Sequence, residues 1–474
     1  MTRDVGAGVG KRWGAGACAG AGTGRRVVCT AKRGRDAEKR GRRLRRERMD
    51  ESAEVERRGG VWEARRMAED DALGLGRLAR GSARGAERVV FATAESLAHT
   101  SDEVDRSHPE SQRRVAAAVD ALGAAGLLDP GRGAQVTWLK EWGWADGAVA
   151  LRQATVEEVC AVHDAAAARR LEEMCEQLGR VQGAPQVSLL DEAPTYYTAA
   201  SNAMALKAAG VGLSVLDAVV EASFAASADS GAPAAAGPVS PASGMALIRP
   251  PGHHAVPEGP MGFCLLNNVS IAVRHAQKAH GLRKVVVFDF DVHHGNGTAD
   301  AFLEDPDVLV VSFHEDKSYP GTGVVEQVGR GAGEGTNINV NLPAGAGDKA
   351  LSTAFHEILA PAVSRFGPEL ILCSAGYDGH WRDPLAHLRY TSLGFHTLAV
   401  NLRELAATYC GGRLVFFLEG GYDLIGLSDG VVNTFKALIG ERPDFSRDEG
   451  MDVAREPMRE VMSSIRQVKA LHAL

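Results

Sequence analysis

The sequence predicts an α/β fold, a single large, open, mostly parallel sheet flanked by helices. Three observations carry that expectation. The runs at 284–290, 308–313, 370–374 and 414–418 are nearly continuous in Val, Ile, Leu and Phe, as parallel strands buried on both faces are. Between the runs lie helical patterns: Leu351, Phe355, Ile358, Leu359 and Ala362 fall at i, i+4, i+7, i+8 and i+11, which makes one apolar stripe. Strand–helix alternation sustained over roughly 350 residues builds one open α/β sheet.

The elements follow in order. Residues 1–88 are rich in Gly, Ala and Arg, lack periodic hydrophobicity and cannot bury a core. A β-like run at 89–92 opens the ordered part, and strands are expected at 245–248, 284–290, 308–313, 337–342, 370–374 and 414–418. Residues 225–243, dominated by Ala, Ser, Gly and Pro, read as a surface loop insertion. A catalytic domain over 89–445 and a C-terminal helical extension over 446–474 complete the expected organisation.

Composition bounds the function. In 474 residues, 45% hydrophobic and 24% charged are ordinary globular values. No apolar run is expected to approach the ~18 residues of a membrane span, so an integral membrane protein is not expected and neither is a membrane partner. Seven scattered cysteines without a CxxC pair argue against a disulfide scaffold or a zinc ribbon. The net charge of −7 is uneven: residues 1–48 hold 15 Lys and Arg against four acids, a net +11, which leaves −18 for the rest. Residues 1–30 contain one acid, Asp4, which suits an organelle transit peptide (chloroplast or mitochondrion), although Ser is scarce. The Lys/Arg cluster at 32–48 equally suits a nuclear address, with nucleus or cytoplasm as the alternative location, and a plain solvated tail is the third reading.

Ligand sites in such sheets form at the carboxyl ends of the strands, and there this sequence places its chemistry. One strand runs into Asp291-Val292-His293-His294-Gly295-Asn296, another into Gly376-Tyr377-Asp378, a third into Glu419-Gly420-Gly421-Tyr422, a fourth into Arg249-Pro250-Pro251-Gly252-His253-His254. Asp291 and His293, at i and i+2, can point the same way from an extended segment, and Asp378 can complete an Asp-His-Asp set. Three protein ligands with a position left for water make a catalytic rather than a structural zinc site. The same oxygen/nitrogen set suits Fe(II), Mn(II) or Co(II). His253 and His254 offer an acid/base pair for metal-assisted hydrolysis. Asp289 and Asn296 are the candidates to orient them; an Asp partner favours an imidazolium, whereas an Asn partner leaves its histidine closer to a free base. Tyr422 can donate its hydroxyl to a substrate carbonyl and then to the developing oxyanion.

These segments, together with Gly262-Phe263-Cys264, Tyr319-Pro320-Gly321-Thr322-Gly323 and the His108-Pro109-Glu110 start, resemble the zinc-dependent histone deacetylase family, in its class II branch. The overall run is most similar to the plant and algal organelle-type members. The resemblance covers about residues 89 to 440 and implies an arginase–deacetylase fold that hydrolyses an N-acetyl amide to acetate and a free amine. It implies one zinc on Asp291, His293 and Asp378, His254 as general base and acid, His253 as its electrostatic partner and Tyr422 as the carbonyl-polarising group. Asp289 would orient His253, and Asn296 would orient His254. It further implies an acyl-lysine tunnel walled at Gly262, Phe263 and Tyr319 with Leu385 at the rim. A structural potassium would use the Asp289 side chain, the carbonyls of Asp291, His293 and Phe313, and the Ser312 hydroxyl. Cys264 reads as a packing residue, since a zinc hydrolase needs no thiolate.

The substrates implied are acetyl-lysine of proteins or small acetylated amines, such as polyamines or aromatic amines. The sequence departs from the family pattern at Glu192-Ala193-Pro194-Thr195-Tyr196, where Pro194 replaces an Asp that grips substrate backbone amides. Proline has neither carboxylate nor N–H, which favours small amines or an unusual protein presentation. Two other classes compete. A two-metal ureohydrolase on the same fold would need further carboxylates, and Asn296 stands where one would help. A catalytically silent scaffold conflicts with the complete Asp-His-Asp, His-His and Tyr set. The tail lies outside the resemblance, so direct nucleic-acid binding is not expected.

Overall fold

The computed structural model describes residues 88–100, 107–132, 135–139, 151–181, 187–190, 195–228, 242–448 and 456–474. Residues 1–87, most of the 225–243 insertion, and Pro194 lie outside them. Ten strands are present among the described residues: β1 (Arg88–Ala94), β2 (Val136–Trp138), β3 (Val187–Leu189), β4 (Tyr196–Thr198), β5 (Ala242–Ile248), β6 (Val285–Asp289), β7 (Val308–Glu315), β8 (Asn337–Leu342), β9 (Leu370–Ala375) and β10 (Leu414–Leu418). Eight of them form one parallel sheet in the order β2-β1-β5-β10-β9-β6-β7-β8, while β3 and β4 pair antiparallel apart from it.

The continuous apolar runs are explained by burial on both faces. Along β6, Val286 and Phe288 enter one core cluster, whereas Val285 and Val287 enter the other. The first face is covered by α1 (Arg113–Ala124) and, later in the chain, by helices that carry Leu402, Val431 and Ile465. The second face is covered after α2 (Val156–Cys160) and α3 (Ala165–Arg180) by α4 (Ser201–Ala228) and α5 (Asn268–His280). Each fully buried Val, Leu or Phe contributes about 1.5–3 kcal/mol of hydrophobic stabilisation. The remaining helices are α6 (Asn296–Phe302), α7 (Asp348–Ala354), α8 (Ala360–Phe366), α9 (Ser392–Tyr409), α10 (Leu424–Leu438) and α11 (Met458–His472). The last of these sets Val461, Ile465 and Val468 into the first core cluster.

Three differences from expectation have physical reasons. Strand β7 continues through His314 and Glu315, whose polar character reads as loop; both are buried and stay in register with β8 because His314 Nε2 reaches the Gly323 carbonyl (2.9 Å) and Glu315 holds His387. The stripe of Leu351, Phe355, Ile358, Leu359 and Ala362 is buried as expected, but one π turn, Phe355–Leu359, separates α7 from α8. The stretch Ser201–Ala225 of α4 is long and apolar enough to cross a membrane, with a mean hydropathy of 1.7. Lys207, Asp217 and Glu221 interrupt it, so the sequence expectation that no apolar run approaches a membrane span overlooked this stretch. In the fold it is a core helix, with Val211, Val215 and Val219 packed in the second cluster.

The sheet order matters most for the site. The four strands that end in titratable motifs, β5, β10, β9 and β6, are the four central neighbours. Chain order is broken there, since β6 to β8 step outward before β9 and β10 return to fill the centre. Residues up to 170 positions apart in sequence therefore emerge side by side at one sheet edge.

Candidate active site

The loop leaving β6 is shaped by its own carboxylates. Asp289 Oδ1 accepts the Asp291 N–H (3.0 Å) and Asp291 Oδ1 accepts the His293 N–H (2.9 Å), side chain-to-backbone turns typical of Asp. From the end of β9, Asp378 Oδ1 accepts the Val292 N–H (3.0 Å); from the end of β10, the Gly420 N–H donates to Asp291 Oδ2 (2.8 Å). His293 Nδ1 thereby lies 3.0 Å from Asp291 Oδ1 and 3.2 Å from Asp378 Oδ2. A Cβ on residue 420 would stand 2.0 Å from Asp378 Oδ2 and 2.6 Å from Asp291 Oδ2, so only glycine allows this approach.

Asp291, His293 and Asp378 offer ligand atoms within 4.8 Å of one another, all buried. Asp378 Oδ2 lacks a well-formed hydrogen bond, with His293 Nδ1 at 3.2 Å. Against the cost of burial, the two carboxylates hold the proton affinity of His293 well above its ordinary value. The same field would hold a cation at that point, and a buried orphan carboxylate oxygen needs one. Two carboxylates and one imidazole, without a thiolate, fit a hydrolytic metal.

Beside this cluster the two histidines diverge. His253 Nδ1 faces Asp289 Oδ2 at 2.9 Å, whereas His254 Nδ1 faces Asn296 Oδ1 at 2.8 Å, and the rings lie 4.0 Å apart. Burial opposes charge on His253, but Asp291 and Asp289 outweigh it and push the ring up to about 10. Burial drives His254 well below its ordinary value, and the neighbouring His253 and His293 add to the shift. The surroundings therefore favour a proton on His253 and disfavour one on His254.

The expected tunnel residues come together around this pair. The Tyr319 ring stands edge-on to His254 at 5.0 Å, and Phe263 stands edge-on to Tyr422 at 5.8 Å. Gly262 has φ +55°, and a Cβ there would meet His254 Cδ2 at 2.6 Å and Tyr319 Cε1 at 2.9 Å. Leu385 is 40% exposed, and its N–H donates to Asp383 Oδ1 (3.0 Å). Burial, then the Asp378 and Asp291 carboxylates, raise the Tyr422 phenol well above its ordinary value, so it is a proton donor at neutral pH. Ser312 and Phe313 sit one strand away on β7, with Ser312 in register with Asp289, its hydroxyl 2.8 Å from His314 Nδ1. Cys264 is fully buried and its thiol is pushed far up, as a packing residue's is.

The roles of five buried ionisable residues escaped the sequence reading. Arg249 clasps Glu110 with two nitrogens (2.5 and 2.7 Å), and Arg114 adds a third contact at 3.3 Å. Arg114 also donates to the carbonyls of Glu419 (2.5 Å) and Gly421 (2.7 Å) and lies 5.0 Å from the Tyr422 ring centroid. Glu419 Oε2 accepts the N–H groups of Gly252 (2.6 Å) and His253 (3.1 Å), tying the β10 end to the histidine pair. Asp383 Oδ2 accepts the Tyr422 N–H at 2.7 Å. Glu110, Arg249 and Glu419 stand within quoted motifs, so motif membership was the available signal; Arg114 and Asp383 had none.

A model of the histone deacetylase domain matches residues 108–438. The chain belongs to the histone deacetylase family. Similar relatives are "Histone deacetylase 14, chloroplastic" of Arabidopsis thaliana, 44% identical over 388 residues (82% of this chain, 85% of that one), and "Histone deacetylase 10, chloroplastic" of Oryza sativa subsp. japonica, 43% identical over 387 residues (81% of each). Among solved structures, the crystal structure of the HDA15 HD domain is similar with a TM-score of 0.65 at 30% identity, covering 82% of this chain and 95% of that one. The eight-stranded parallel sheet is thus the arginase–deacetylase fold. As a member of this zinc-dependent family, the chain is a hydrolase of acetylated amides.

Proposed function

We propose that this deacetylase acts through Asp291, His293 and Asp378 as ligands of one zinc ion, with acetyl-lysine side chains as its first substrate class. The observation that carries the assignment is the unequal seating of two adjacent histidines, one on Asp289 and one on Asn296, beside a buried carboxylate oxygen without a partner. A zinc ion held by Asp291, His293 and Asp378 would supply Lewis-acid polarisation of the acetyl carbonyl and a more acidic water. His254, neutral, takes the proton of the attacking water and passes it to the leaving nitrogen. His253, held as an imidazolium by Asp289 and Asp291, keeps its positive charge beside the reacting centre. The Tyr422 hydroxyl donates to the carbonyl oxygen as negative charge develops. Arg114, Glu419 and Asp383 hold the backbone around Tyr422 and His253 in place.

Gly262, Phe263 and Tyr319 wall the acyl tunnel, a placement supported by their contacts with His254 and Tyr422, and Leu385 marks its rim, supported by its exposure and by its N–H on Asp383, which also accepts the Tyr422 N–H. A potassium ion on Asp289, Ser312 and the carbonyls of Asp291, His293 and Phe313 is supported by the register of β6 and β7. Residues 89–445 form the catalytic unit, 446–474 its C-terminal extension, and 1–88 an address, for which chloroplast is favoured by the names of the two relatives.

Small acetylated amines are the second substrate class, favoured by Pro194. A panel of acetyl-lysine peptides, acetylpolyamines and acetylated aromatic amines, with and without chelator, tests the proposal. Chelator-sensitive release of acetate from at least one class is expected. Failure on all three would contradict the assignment.

A further inference from the structure

A second set of metal-ligating side chains lies between helices on the other side of the catalytic loop. Asp217 projects from α4, and His275 and His280 from the C-terminal half of α5. Asp217 Oδ1 is 2.8 Å from His275 Nε2 and 2.6 Å from His280 Nε2. All three residues are partly buried, with side chains 12 to 17% exposed. Their ligand atoms lie within 4.8 Å of one another.

The surroundings of His275 point to a ligand. Its other nitrogen, Nδ1, lies 3.2 Å from Glu158 Oε1 on α2. Glu158 is itself fixed: Arg152 donates to both of its oxygens (2.8 and 2.7 Å), and the Thr155 N–H donates to Oε2 (2.8 Å). A carboxylate behind an imidazole is the usual means of presenting the opposite nitrogen to a metal. Here that opposite nitrogen faces Asp217, so His275 has a carboxylate on each side and Asp217 Oδ1 has two imidazoles on one oxygen. Two carboxylates thus converge on one imidazole at the cluster, a local excess of negative charge that a cation among the three ligands would offset. The α5 C-terminus at His280, the negative end of the helix dipole, favours a cation at the same place.

We infer that Asp217, His275 and His280 bind a divalent transition-metal ion, zinc foremost, at an accessory site that bridges α4 and α5, with Glu158 on α2 as the orienting partner. Two imidazole nitrogens and one carboxylate suit Zn(II), Co(II) or Ni(II) and leave a fourth position for water. Tetrahedral bonds of ~2.0–2.1 Å place ligand atoms roughly 3.3 Å apart, so the three need to spread by about half an ångström to take the ion. The N-terminus of α5 holds the catalytic loop, since Asn267 Nδ2 donates to the Ala255 carbonyl (3.2 Å) and Asn268 Nδ2 to the Pro250 carbonyl (3.1 Å). The second site is at the opposite end of that helix, so it braces the scaffold without touching the reacting groups.

The test compares full-length wild type with His280→Ala and the more conservative His280→Gln. Each is stripped with dipicolinate, reloaded with Zn2+, desalted and assayed for metal content and thermal melting. Wild type should retain one more zinc per chain than either variant, and Zn2+ should raise its Tm more than theirs. The difference is counted between proteins, so it holds whether or not the catalytic site is filled. Equal zinc content in wild type and variants would overturn the inference. So would a wild-type Tm rise no larger than that of His280→Gln.

Discussion

His253 and His254 are chemically identical side chains made different by one partner atom each. Replacing Asn296 by Asp puts a carboxylate on His254 and raises its proton affinity; because the neutral ring is the base, the acid limb of the kcat/KM–pH profile should move to higher pH. An unmoved acid limb would remove His254 from that role. Tyr422→Phe should lower kcat by ~10²–10³ with little change in KM, the signature of a transition-state donor. Gly262→Ala forces a methyl to 2.6 Å from His254 Cδ2, and the resulting displacement should cost about 10²-fold in activity while circular dichroism stays native. The Asp291–His293–Asp378 cluster and the histidine pair were legible because they sit in ordered motifs at strand ends. Arg114 and Asp383 were not, because an isolated charged residue in a sequence looks solvated, and only packing makes it buried.

At the scale of elements, the Glu110–Arg249–Arg114 clamp joins the entry to α1, the end of β5 and the turn after β10. All three side chains are fully buried. Burial opposes the Glu110 charge, yet Arg249 and then Arg114 hold its carboxyl well below the ordinary range. Its stabilisation is therefore complete above the unfolded carboxyl pKa of ~4.3 and fades as pH falls toward the folded value. Glu110→Gln leaves two guanidiniums without a counter-charge and should cost about 3–5 kcal/mol in urea unfolding at pH 7, with the gap to wild type narrowing in acid. A cost below 1 kcal/mol would mean the arginines find other partners. Strands β6, β9 and β10 were legible from composition alone, because burial on both faces leaves no polar alternation to misread, whereas β8 alternates Asn with Ile, Val and Leu and sets its apolar side chains into one core cluster. The π turn at Phe355–Leu359 and the polar end of β7 were not, because a one-residue change of helical period keeps the stripe, and buried polar residues look like loop until their partners are known.

For the whole molecule, the sheet order converts scattered motifs into one site. No sequence pattern states that β9 and β10 return between β6 and β5, yet four strand ends with converging chemistry already required some such arrangement. The charge asymmetry, +11 over residues 1–48 against −18 for the rest, fits the proposed address and catalytic body respectively. Residues 1–90 fused to a reporter should direct it to the chloroplast; a nuclear signal would favour the Lys/Arg cluster at 32–48 instead. The central claim, hydrolysis of an acetyl amide at the Asp291–His293–Asp378 cluster, is tested most directly by metal reconstitution. Stripped protein should lose hydrolysis of its best acetylated substrate, and added Zn2+ should restore it in wild type but not in Asp378→Asn. Undiminished activity after stripping, or equal restoration in Asp378→Asn, would contradict the account.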